Sequence, residues 1–391
     1  MMNKENIIPI KSIGFALSPD NSPSFLLDWE LTLKCNLDCS YCSTDIELGG
    51  HNNSTKHPPL KECLKSIDFM YEYVDLYMQH KKLSQRKVIL NVYGGESLFH
   101  PHIIEILQAC RDRYEQYAER WELTITTTTN AVINKNIWVK VIPLIDEFTV
   151  SYHAEHLSKQ STLFFDNLTK LKKSDKRVKV VVMMHADPEL WKKSIKAIEF
   201  CKSNSIRYMA KPYDNIDLSY SNEQYEYIKN YWITNTNTKN LEESKHRYKS
   251  IGNKASVISV QEGRSCCGGR KLALNNSLQS SVTFVSKQGF RDWYCSVNWF
   301  FLYVQQVTGK VYTNKDCRTS LNSKVEPLGY LENTSEMINQ LKENMKNKNL
   351  PVINCVKSIC ACGYCAPKAK DLKDFQDLIN RNVITDVIKY E

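Results

Sequence analysis

The chain lacks the features that mark membrane and exported proteins. No part of its 391 residues forms an apolar run that approaches the roughly 18 residues needed to span a bilayer. Residues 1–23 contain no basic stretch followed by an apolar segment, so they do not resemble a signal peptide. An internal repeat of fixed period is also absent. We therefore expect a cytoplasmic globular protein, long enough for two or three domains.

The charge balance does not single out a partner. The formal net charge is +9, which suits a nucleic acid or an acidic peptide but equally suits a solvated surface. The densest basic stretch, 239–254, also contains acidic and small polar residues. We interpret this stretch as an exposed linker rather than a binding stripe.

Cysteine is abundant, with 14 residues. In a chain without an export signal, so many cysteines indicate metal ligands rather than disulfides. Cys63, Cys110 and Cys201 are scattered through predicted helices, and we interpret them as small core residues. Three more form a tight motif near the start of the chain, and the other eight lie in the last third: Cys266, Cys267, Cys295, Cys317, Cys355, Cys360, Cys362 and Cys365.

The tight motif consists of Cys35, Cys39 and Cys42, and it follows a strand-like alternation of apolar residues over 27–34. A short loop after a strand can wrap one iron–sulfur cluster, since thiolates are the usual ligands of such clusters. Three cysteines leave one iron of a 4Fe–4S cubane open, as a site that binds substrate requires. The alternative is a zinc site, but zinc favours paired Cys-x2-Cys units, and no second pair follows nearby.

Strands and helices alternate along residues 25–236. The periodicities predict six βα units in series, and therefore a parallel sheet with right-handed crossovers. Ligands of such folds bind at the carboxyl ends of the strands. The unusual clusters of residues all fall at such ends: 35–42, 94–97, 128–130, 151–153 and 184–185.

The second predicted strand ends in Gly94, Gly95 and Glu96. The two glycines permit close approach of a backbone to a ligand, because they carry no side chain. Glu96 can then hold a cationic group. The alternative interpretation is an ordinary turn with a solvated acid.

The third and fourth predicted strands end in further candidates. Thr128 and Asn130 can hydrogen-bond a ligand, although threonine is also a common strand former. Ser151 and His153 share one face of their strand, since side chains alternate with a period of two. Either can reach a cofactor or a substrate, and the alternative is that they line the interior as packing residues.

The cysteine motif and the Gly-Gly-Glu segment resemble the radical S-adenosylmethionine (SAM) superfamily. The resemblance implies that the open iron of a 4Fe–4S cluster binds SAM, and that reduction by a flavodoxin or ferredoxin cleaves SAM to methionine and a 5′-deoxyadenosyl radical. It also implies that Tyr41 lies beside the adenine, that the segment ending in Glu96 binds the SAM amino group, and that Thr128 or Asn130 contacts the ribose or carboxylate. The family often has glycine after this asparagine, whereas this chain has Ala131.

The last third of the chain resembles the SPASM and twitch extensions of the same superfamily. Cys295, Gly309 and Cys317 match the hairpin that begins those extensions. The resemblance implies one or two auxiliary 4Fe–4S clusters held by cysteines of this region. The remaining candidates are Cys355, Cys360, Cys362, Cys365, Cys266 and Cys267, of which Cys266, Cys267 and Cys365 are alternatively candidates for a substrate-facing acid. A structural zinc bound by Cys360, Cys362 and Cys365 is the other possibility.

From these observations we expect an α/β protein. A partial (β/α)6 radical SAM barrel should precede a small cysteine-rich α+β domain that is similar to SPASM and twitch domains. The predicted divisions are an N-terminal extension (1–24), the barrel (25–236), a linker (237–256) and the auxiliary-cluster domain (257–391).

The expected activity is that of a radical SAM oxidoreductase or maturase. Many SPASM enzymes modify ribosomal peptides or proteins, so a peptide or protein is the expected substrate, with no membrane partner. Residues 1–24 are too few for the leader-peptide-binding domain that such enzymes often carry. The alternatives are modification of a nucleobase or nucleotide, and a non-catalytic iron–sulfur protein with a redox or binding role. The sequence does not determine the bond formed, whether SAM is consumed, or the oligomeric state.

Overall fold

The structure is a computed structural model. It describes residues 10–14, 25–42, 56–80, 86–212, 220–235, 291–295, 297–299, 301–313, 319–320, 323–324, 326–346, 353–355, 368–375 and 387–390. Every helix in these ranges is too short or too polar to cross a membrane.

Six parallel strands form the centre of the main sheet, side by side in chain order. They follow β1 (Ile10–Gly14) in the chain and comprise β2 (Phe25–Thr32), β3 (Lys87–Gly94), β4 (Glu122–Thr129), β5 (Glu147–Tyr152), β6 (Arg177–Met184) and β7 (Arg207–Pro212). A helix follows each of the six: α1 (Leu60–His80), α2 (Ile103–Tyr114), α3 (Lys135–Val141), α4 (Leu157–Lys172), α5 (Pro188–Ser203) and α6 (Asn222–Asn235). The predicted series of six βα units is therefore present.

The helices cover one face of this sheet, as sequential right-handed crossovers require. Alternate residues of β2, namely Phe25, Leu27, Trp29 and Leu31, are fully buried in the main core with apolar side chains of α1. Local signals fix the helix ends. Asp187, for example, caps α5 by accepting the N–H groups of Glu189 and Leu190, each at 2.9 Å.

The other face of the sheet is more polar. Register places Asp28, Asn91 and Thr126 in one row across β2, β3 and β4. The Asn91 amide donates to Asp28 Oδ1 (2.8 Å), and the Thr126 hydroxyl donates to Asn91 Oδ1 (3.2 Å). The hydrogen bond from Asn91 satisfies the carboxylate of Asp28, which is only 8% exposed.

The last third of the chain continues the same sheet. The strands β9 (Phe301–Gln305), β10 (Lys310–Tyr312) and β13 (Gly329–Tyr330) extend it beyond β2, with β9 parallel to β2, β10 antiparallel to β9, and β13 antiparallel to β10. All five residues of β9 are buried. The helix α7 (Thr334–Lys346) packs on α1, where Lys342 pairs with Glu72 at 2.8 Å. The main sheet thus has nine strands in the order β13-β10-β9-β2-β3-β4-β5-β6-β7.

A second sheet joins the two ends of the chain. It is made of β8 (Tyr294–Cys295), β14 (Ile353–Asn354), β15 (Lys368–Ala369) and β16 (Val387–Tyr390) around β1, in the order β14-β8-β15-β1-β16. Sequence reasoning did not anticipate β1, which lies in the predicted N-terminal extension. A short ladder links β11 (Thr319–Ser320) and β12 (Ser323–Lys324). The linker 237–256 lies outside the described residues, and the domain divisions stay a prediction.

Candidate functional site

The carboxyl edge of the parallel sheet brings the cysteine loop, residues 35–42, against the ends of β3, β4 and β5. Two backbone hydrogen bonds begin this assembly, because the Gly95 N–H donates to Thr32 O and the Glu96 N–H donates to Lys34 O, both at 2.8 Å. The Gly-Gly-Glu turn is therefore fastened to the segment that leads into Cys35. The prediction that the motifs share one edge of the sheet agrees with this arrangement.

The two glycines are required by the approach of this backbone. A Cβ atom on Gly94 would lie 2.0 Å from Thr32 O, and one on Gly95 would lie 2.3 Å from Lys34 O. Gly94 also has a φ of +154°, which side chains rarely tolerate. The sequence interpretation attributed the glycines to the approach of a ligand. The structure shows that the chain itself fills this space, so the glycines first serve the placement of the cysteine loop.

Glu96 is fully buried between two strand ends. Its Oε1 accepts the Leu98 N–H (3.1 Å) and its Oε2 accepts the Asn130 N–H (2.6 Å). Burial raises the pKa of this carboxyl to about 7, and the hydrogen bonds from Asn130, Thr129 and Leu98 oppose the shift. Glu96 thus ties the end of β3 to the end of β4, and its role toward a cationic group stays a prediction.

Asn130 positions the first half of the cysteine loop. Its amide nitrogen donates to Asn36 Oδ1 (2.8 Å) and lies 3.8 Å from Cys35 Sγ, while its oxygen accepts the Val132 N–H (2.8 Å). Asn36 in turn donates to Val132 O (2.6 Å). Sequence reasoning named Asn130 but missed Asn36, whose only signal was its place directly after the first cysteine of the motif.

Ala131 has a left-handed conformation, with a φ of +55°. Glycine adopts this conformation without cost, whereas a residue with a Cβ atom is strained in it. The family that the sequence resembles often has glycine at this position, where this chain has Ala131. The backbone at this position needs a residue that tolerates positive φ. The carbonyl of Ala131 accepts the buried Asn167 amide (3.0 Å), which helps to hold this conformation.

Tyr41 and His153 meet at the other end of the cysteine loop. The Tyr41 hydroxyl lies 2.6 Å from His153 Nδ1, and the two rings stack with centroids 5.8 Å apart. Burial, with a smaller contribution from the nearby His156, lowers the pKa of His153 to about 4, so its ring is neutral near pH 7. Next to Tyr41, Ser40 binds the carboxylate of Glu155, a residue that sequence reasoning also missed.

Thr128 and Ser151 lie on the polar face of the sheet. Both are partly exposed, whereas their neighbours Thr127, Thr129 and Tyr152 are buried. The structure therefore directs Thr128 and Ser151 away from the helix-covered core. Asn130 does not continue this face, because the chain leaves the strand after Thr129 and the Asn130 amide turns toward Asn36.

Two thiols of the loop have raised pKa values. Burial raises the pKa of Cys35 to about 11, with further contributions from Glu96 and Cys42. Burial also raises the pKa of Cys39 to about 12, and Cys35 and Cys42 add to the shift. Burial raises the pKa of the core thiols Cys63, Cys110 and Cys201 to about 12 as well, so the shift reflects burial in both places.

Hydrogen-bond donors surround one thiol of the loop. Cys35 Sγ accepts the Leu37 N–H (3.4 Å) and lies near the Asn130 amide, and hydrogen bonds to sulfur are typical of iron–sulfur ligands. Within the described ranges, no three His, Cys, Asp or Glu side chains converge as one metal ion would require. The metal-binding role of Cys35, Cys39 and Cys42 therefore stays a prediction.

The remaining cysteines divide into two sets. Cys63, Cys110 and Cys201 are buried in the main core, which confirms their interpretation as core residues. Cys295 pairs with Ile353 in the β8–β14 ladder, and Cys355 follows that ladder two residues later, where its N–H donates to Trp293 O (2.8 Å). The other candidate ligands lie outside the described residues: Cys266, Cys267, Cys317, Cys360, Cys362 and Cys365.

Solved structures that resemble this chain include proteins with bound S-adenosylmethionine (AdoMet). Streptococcus suis SuiB bound to S-adenosylmethionine matches with a TM-score of 0.44 and 14% identity, over 79% of this chain and 62% of SuiB. Native anSMEcpe with bound AdoMet matches with a TM-score of 0.46 and 13% identity, over 83% of each chain. A hexahistidine-tagged form of anSMEcpe with bound AdoMet gives a TM-score of 0.48 and 11% identity, over 83% of this chain and 79% of the other.

This chain spans about three fifths of the length of SuiB. No family model and no curated protein matches the sequence. Likeness as weak as that to SuiB and anSMEcpe does not assign an activity, so the function has to be argued from this chain's own residues.

Proposed function

We propose that this protein is a radical SAM enzyme whose catalytic 4Fe–4S cluster is held by Cys35, Cys39 and Cys42. The observation that carries the proposal is the position of the cysteine loop, at the carboxyl edge of six parallel strands and fastened there by the ends of β3, β4 and β5. Ligands of such sheets bind at this edge.

Several residues around the cysteine loop have proposed roles toward the cluster and SAM. When bound, the cluster and SAM supply an electron and a 5′-deoxyadenosyl radical that abstracts a hydrogen atom from the substrate. Asn130 and Leu37 donate hydrogen bonds toward Cys35. Tyr41 is proposed to lie beside the adenine, as the resemblance to the family implies. Gly94, Gly95 and Glu96 are proposed to present backbone carbonyls and a carboxylate to the SAM amino group. Thr128, Ser151 and His153 are proposed to face the cofactor or the substrate.

An auxiliary-cluster region is proposed for the last third of the chain. Gly309 has a φ of +69° in the turn between β9 and β10, which supports the resemblance to the SPASM and twitch hairpin. Cys295 pairs with Ile353 in the β8–β14 ladder, and Cys355 follows that ladder two residues later, which supports a role for both in one cluster region. We propose one or two auxiliary 4Fe–4S clusters, with a structural zinc as the alternative.

The proposed substrate is a peptide or a protein, and a flavodoxin or ferredoxin is the proposed electron donor. A nucleobase or nucleotide is the second candidate, favoured by the net charge of +9. Measuring binding at several salt concentrations distinguishes the peptide from the nucleic-acid substrate, because binding of a nucleic acid weakens steeply with salt. Binding that is absent or insensitive to salt would remove the second candidate.

Anaerobic reconstitution tests the proposal. Iron and sulfide are counted per chain for the wild type and for a variant that combines Cys35→Ala, Cys39→Ala and Cys42→Ala, and the reduced proteins are then given SAM. We expect about four fewer irons in the variant, and 5′-deoxyadenosine from the wild type only. Cys63→Ala is the matched control, because Cys63 is a core cysteine.

The outcomes separate the hypotheses. Absence of iron from the cysteine loop, together with intact SAM, would overturn the enzyme assignment. Iron without SAM cleavage would instead favour the redox or binding protein. Zinc in place of the iron of the last third would keep the enzyme and remove the auxiliary clusters.

A further inference from the structure

The second half of the cysteine loop is held by a carboxylate. Glu155 lies in the short 3-10 turn 154–156 that follows β5, and its side chain is 16% exposed. Its Oε2 accepts the Ser40 backbone N–H (2.9 Å), and its Oε1 accepts the Ser40 hydroxyl (2.5 Å). Ser40 itself is exposed. Exposed Ser40 therefore donates two hydrogen bonds to the largely buried Glu155 carboxylate, and these bonds fix the loop beside Cys39.

Two histidines face this carboxylate. His185 accepts the Asp187 N–H at its Nδ1 (2.8 Å), which leaves the proton of the neutral ring on Nε2, 3.8 Å from Glu155 Oε1. Nε2 of His156 lies 3.8 Å from Glu155 Oε2 and, among the described residues, is buried without a hydrogen bond. Glu155 is thus flanked by groups from the ends of β5 and β6, so its position is set by the sheet rather than by the loop.

The carboxylate also brings a negative charge to the cysteine loop, because it binds Ser40, which follows Cys39 directly. A fixed negative charge opposes the addition of an electron to a nearby group for the same reason that it opposes a thiolate. Charge near an iron–sulfur cluster is one of the factors that set its reduction potential.

We propose that Glu155 is a positioning residue, which latches the Cys39 end of the loop through Ser40 and keeps the potential of the bound cluster low. The latch is a property of the polypeptide and can be tested without metal. The second part of the proposal, that Glu155 keeps the potential of the cluster low (the electrochemical half), rests on the proposed function. The two halves therefore need two separate measurements.

Hydrogen–deuterium exchange of the full, metal-free chain tests the latch. Glu155→Ala removes both acceptors, whereas Glu155→Gln keeps one acceptor oxygen and loses the charge. We expect exchange in a peptide spanning 36–42 to become at least about tenfold faster in Glu155→Ala, with a smaller increase in Glu155→Gln. Glu199→Gln, which removes an exposed carboxylate that pairs with Lys202 on α5, is the control and should match the wild type.

The exchange of α1 shows whether each variant is folded, and it should be unchanged. Wild-type exchange of 36–42 in Glu155→Ala would overturn the latch. If Glu155→Ala does not fold, Ser40→Ala removes one of the two bonds and should give a smaller acceleration in a folded chain. Exchange equal to that of the wild type in Ser40→Ala and in Glu155→Gln would likewise overturn it.

Redox titration of the reconstituted protein tests whether the charge of Glu155 lowers the reduction potential of the cluster. We expect the cluster of Glu155→Gln to have a more positive potential than the wild type, and the cluster of Glu155→Asp to stay near the wild-type value. A merely structural role would not produce this dependence on charge. Equal potentials in Glu155→Gln and wild type would overturn the electrochemical half, whereas a wild-type chain that takes up no iron would overturn the proposed function and leave the exchange result intact.

Discussion

The two ends of the cysteine loop are held by different kinds of group. At the Cys35 end, the contacts come from backbone N–H and C=O groups and from the neutral amides of Asn36 and Asn130. At the Ser40 end, they come from Glu155 and His153, which are ionisable. The entrance to the loop is therefore held by backbone and amide groups, with the Glu96 carboxylate behind Asn130, whereas its exit is held directly by the side chains of Glu155 and His153.

This difference indicates that the Cys35 end and the Ser40 end of the loop should respond differently to pH and to a bound charge. Backbone and amide contacts keep their strength over a wide range of pH. Contacts to a carboxylate or an imidazole respond to protonation and to a nearby charge. The following substitutions test whether the two ends are as distinct as the contacts suggest.

The largest effect is expected from Gly95→Ala, at the entrance. The added Cβ would lie 2.3 Å from the Lys34 carbonyl oxygen, so the turn and the segment before Cys35 cannot both keep their positions. We expect a loss of about 4 kcal/mol of unfolding free energy, together with reduced iron uptake. Urea denaturation measures the first, and chemical analysis of the reconstituted chain measures the second.

Gly309→Ala is the matched control. A Cβ at Gly309 meets no atom of the described residues within 4 Å, although its φ is +69°. It should therefore cost only about 1 kcal/mol, from backbone strain alone. Equal losses in the two variants would show that the entrance is not held by close backbone approach.

A smaller loss is expected from Asn130→Ala. The substitution leaves Asn36 Oδ1 and the buried Val132 N–H without their partner, which should cost about 3 kcal/mol. Because the lost contacts are neutral, the loss should be the same at about pH 5 and about pH 8. Denaturation at both values measures it.

Asn204→Ala supplies the comparison for Asn130→Ala. The Asn204 amide also donates to a backbone carbonyl, that of Phe200, but at the exposed end of α5. We expect a loss below about 1 kcal/mol there. A loss in Asn130→Ala that changes markedly with pH would contradict the description of the entrance as neutral.

The smallest effect concerns His153, at the exit. Its pKa in the folded protein is about 4, below the usual 6.5. The unfolded chain gains a proton as the pH falls below 6.5, and the folded chain does so only near 4. The stability present above pH 6.5 is therefore lost between 6.5 and 4, by about 2 kcal/mol for this partly exposed ring.

His153→Gln should remove this part of the acid loss. We expect the variant to lose about 2 kcal/mol less than the wild type when the pH is lowered from about 7 to about 4, as measured by denaturation at several pH values. Tyr41→Phe removes the partner hydroxyl but keeps the titrating ring, so it should retain the acid loss. An identical pH dependence in His153→Gln and wild type would place the titration elsewhere.

Much of the parallel sheet could be predicted from the sequence. The alternation of Leu27, Trp29 and Leu31 predicted β2, and similar patterns predicted β3 to β7 to within one residue at each end. The reason is physical, because one face of each strand must be apolar to pack against its helix. The three core cysteines were predicted for the same reason.

The second sheet could not be predicted. Its strands are two to five residues long, too short for a periodic pattern to appear. The pairing of β1 with β15 and β16 joins segments more than 350 residues apart, and no local signal encodes such a contact. The addition of β9 to the edge of β2 was missed for the same reason.

By itself, the sequence predicted which residues are candidates for the chemistry, and it determined at which end of the strands they lie, because spacing and periodicity are local properties of the chain. Only the tertiary structure decided what holds them. Glu96 is tied to Asn130, Asn36 to Val132, and Ser40 to Glu155. Each of these contacts joins residues far apart in the chain that meet only when the parallel strands align their carboxyl ends.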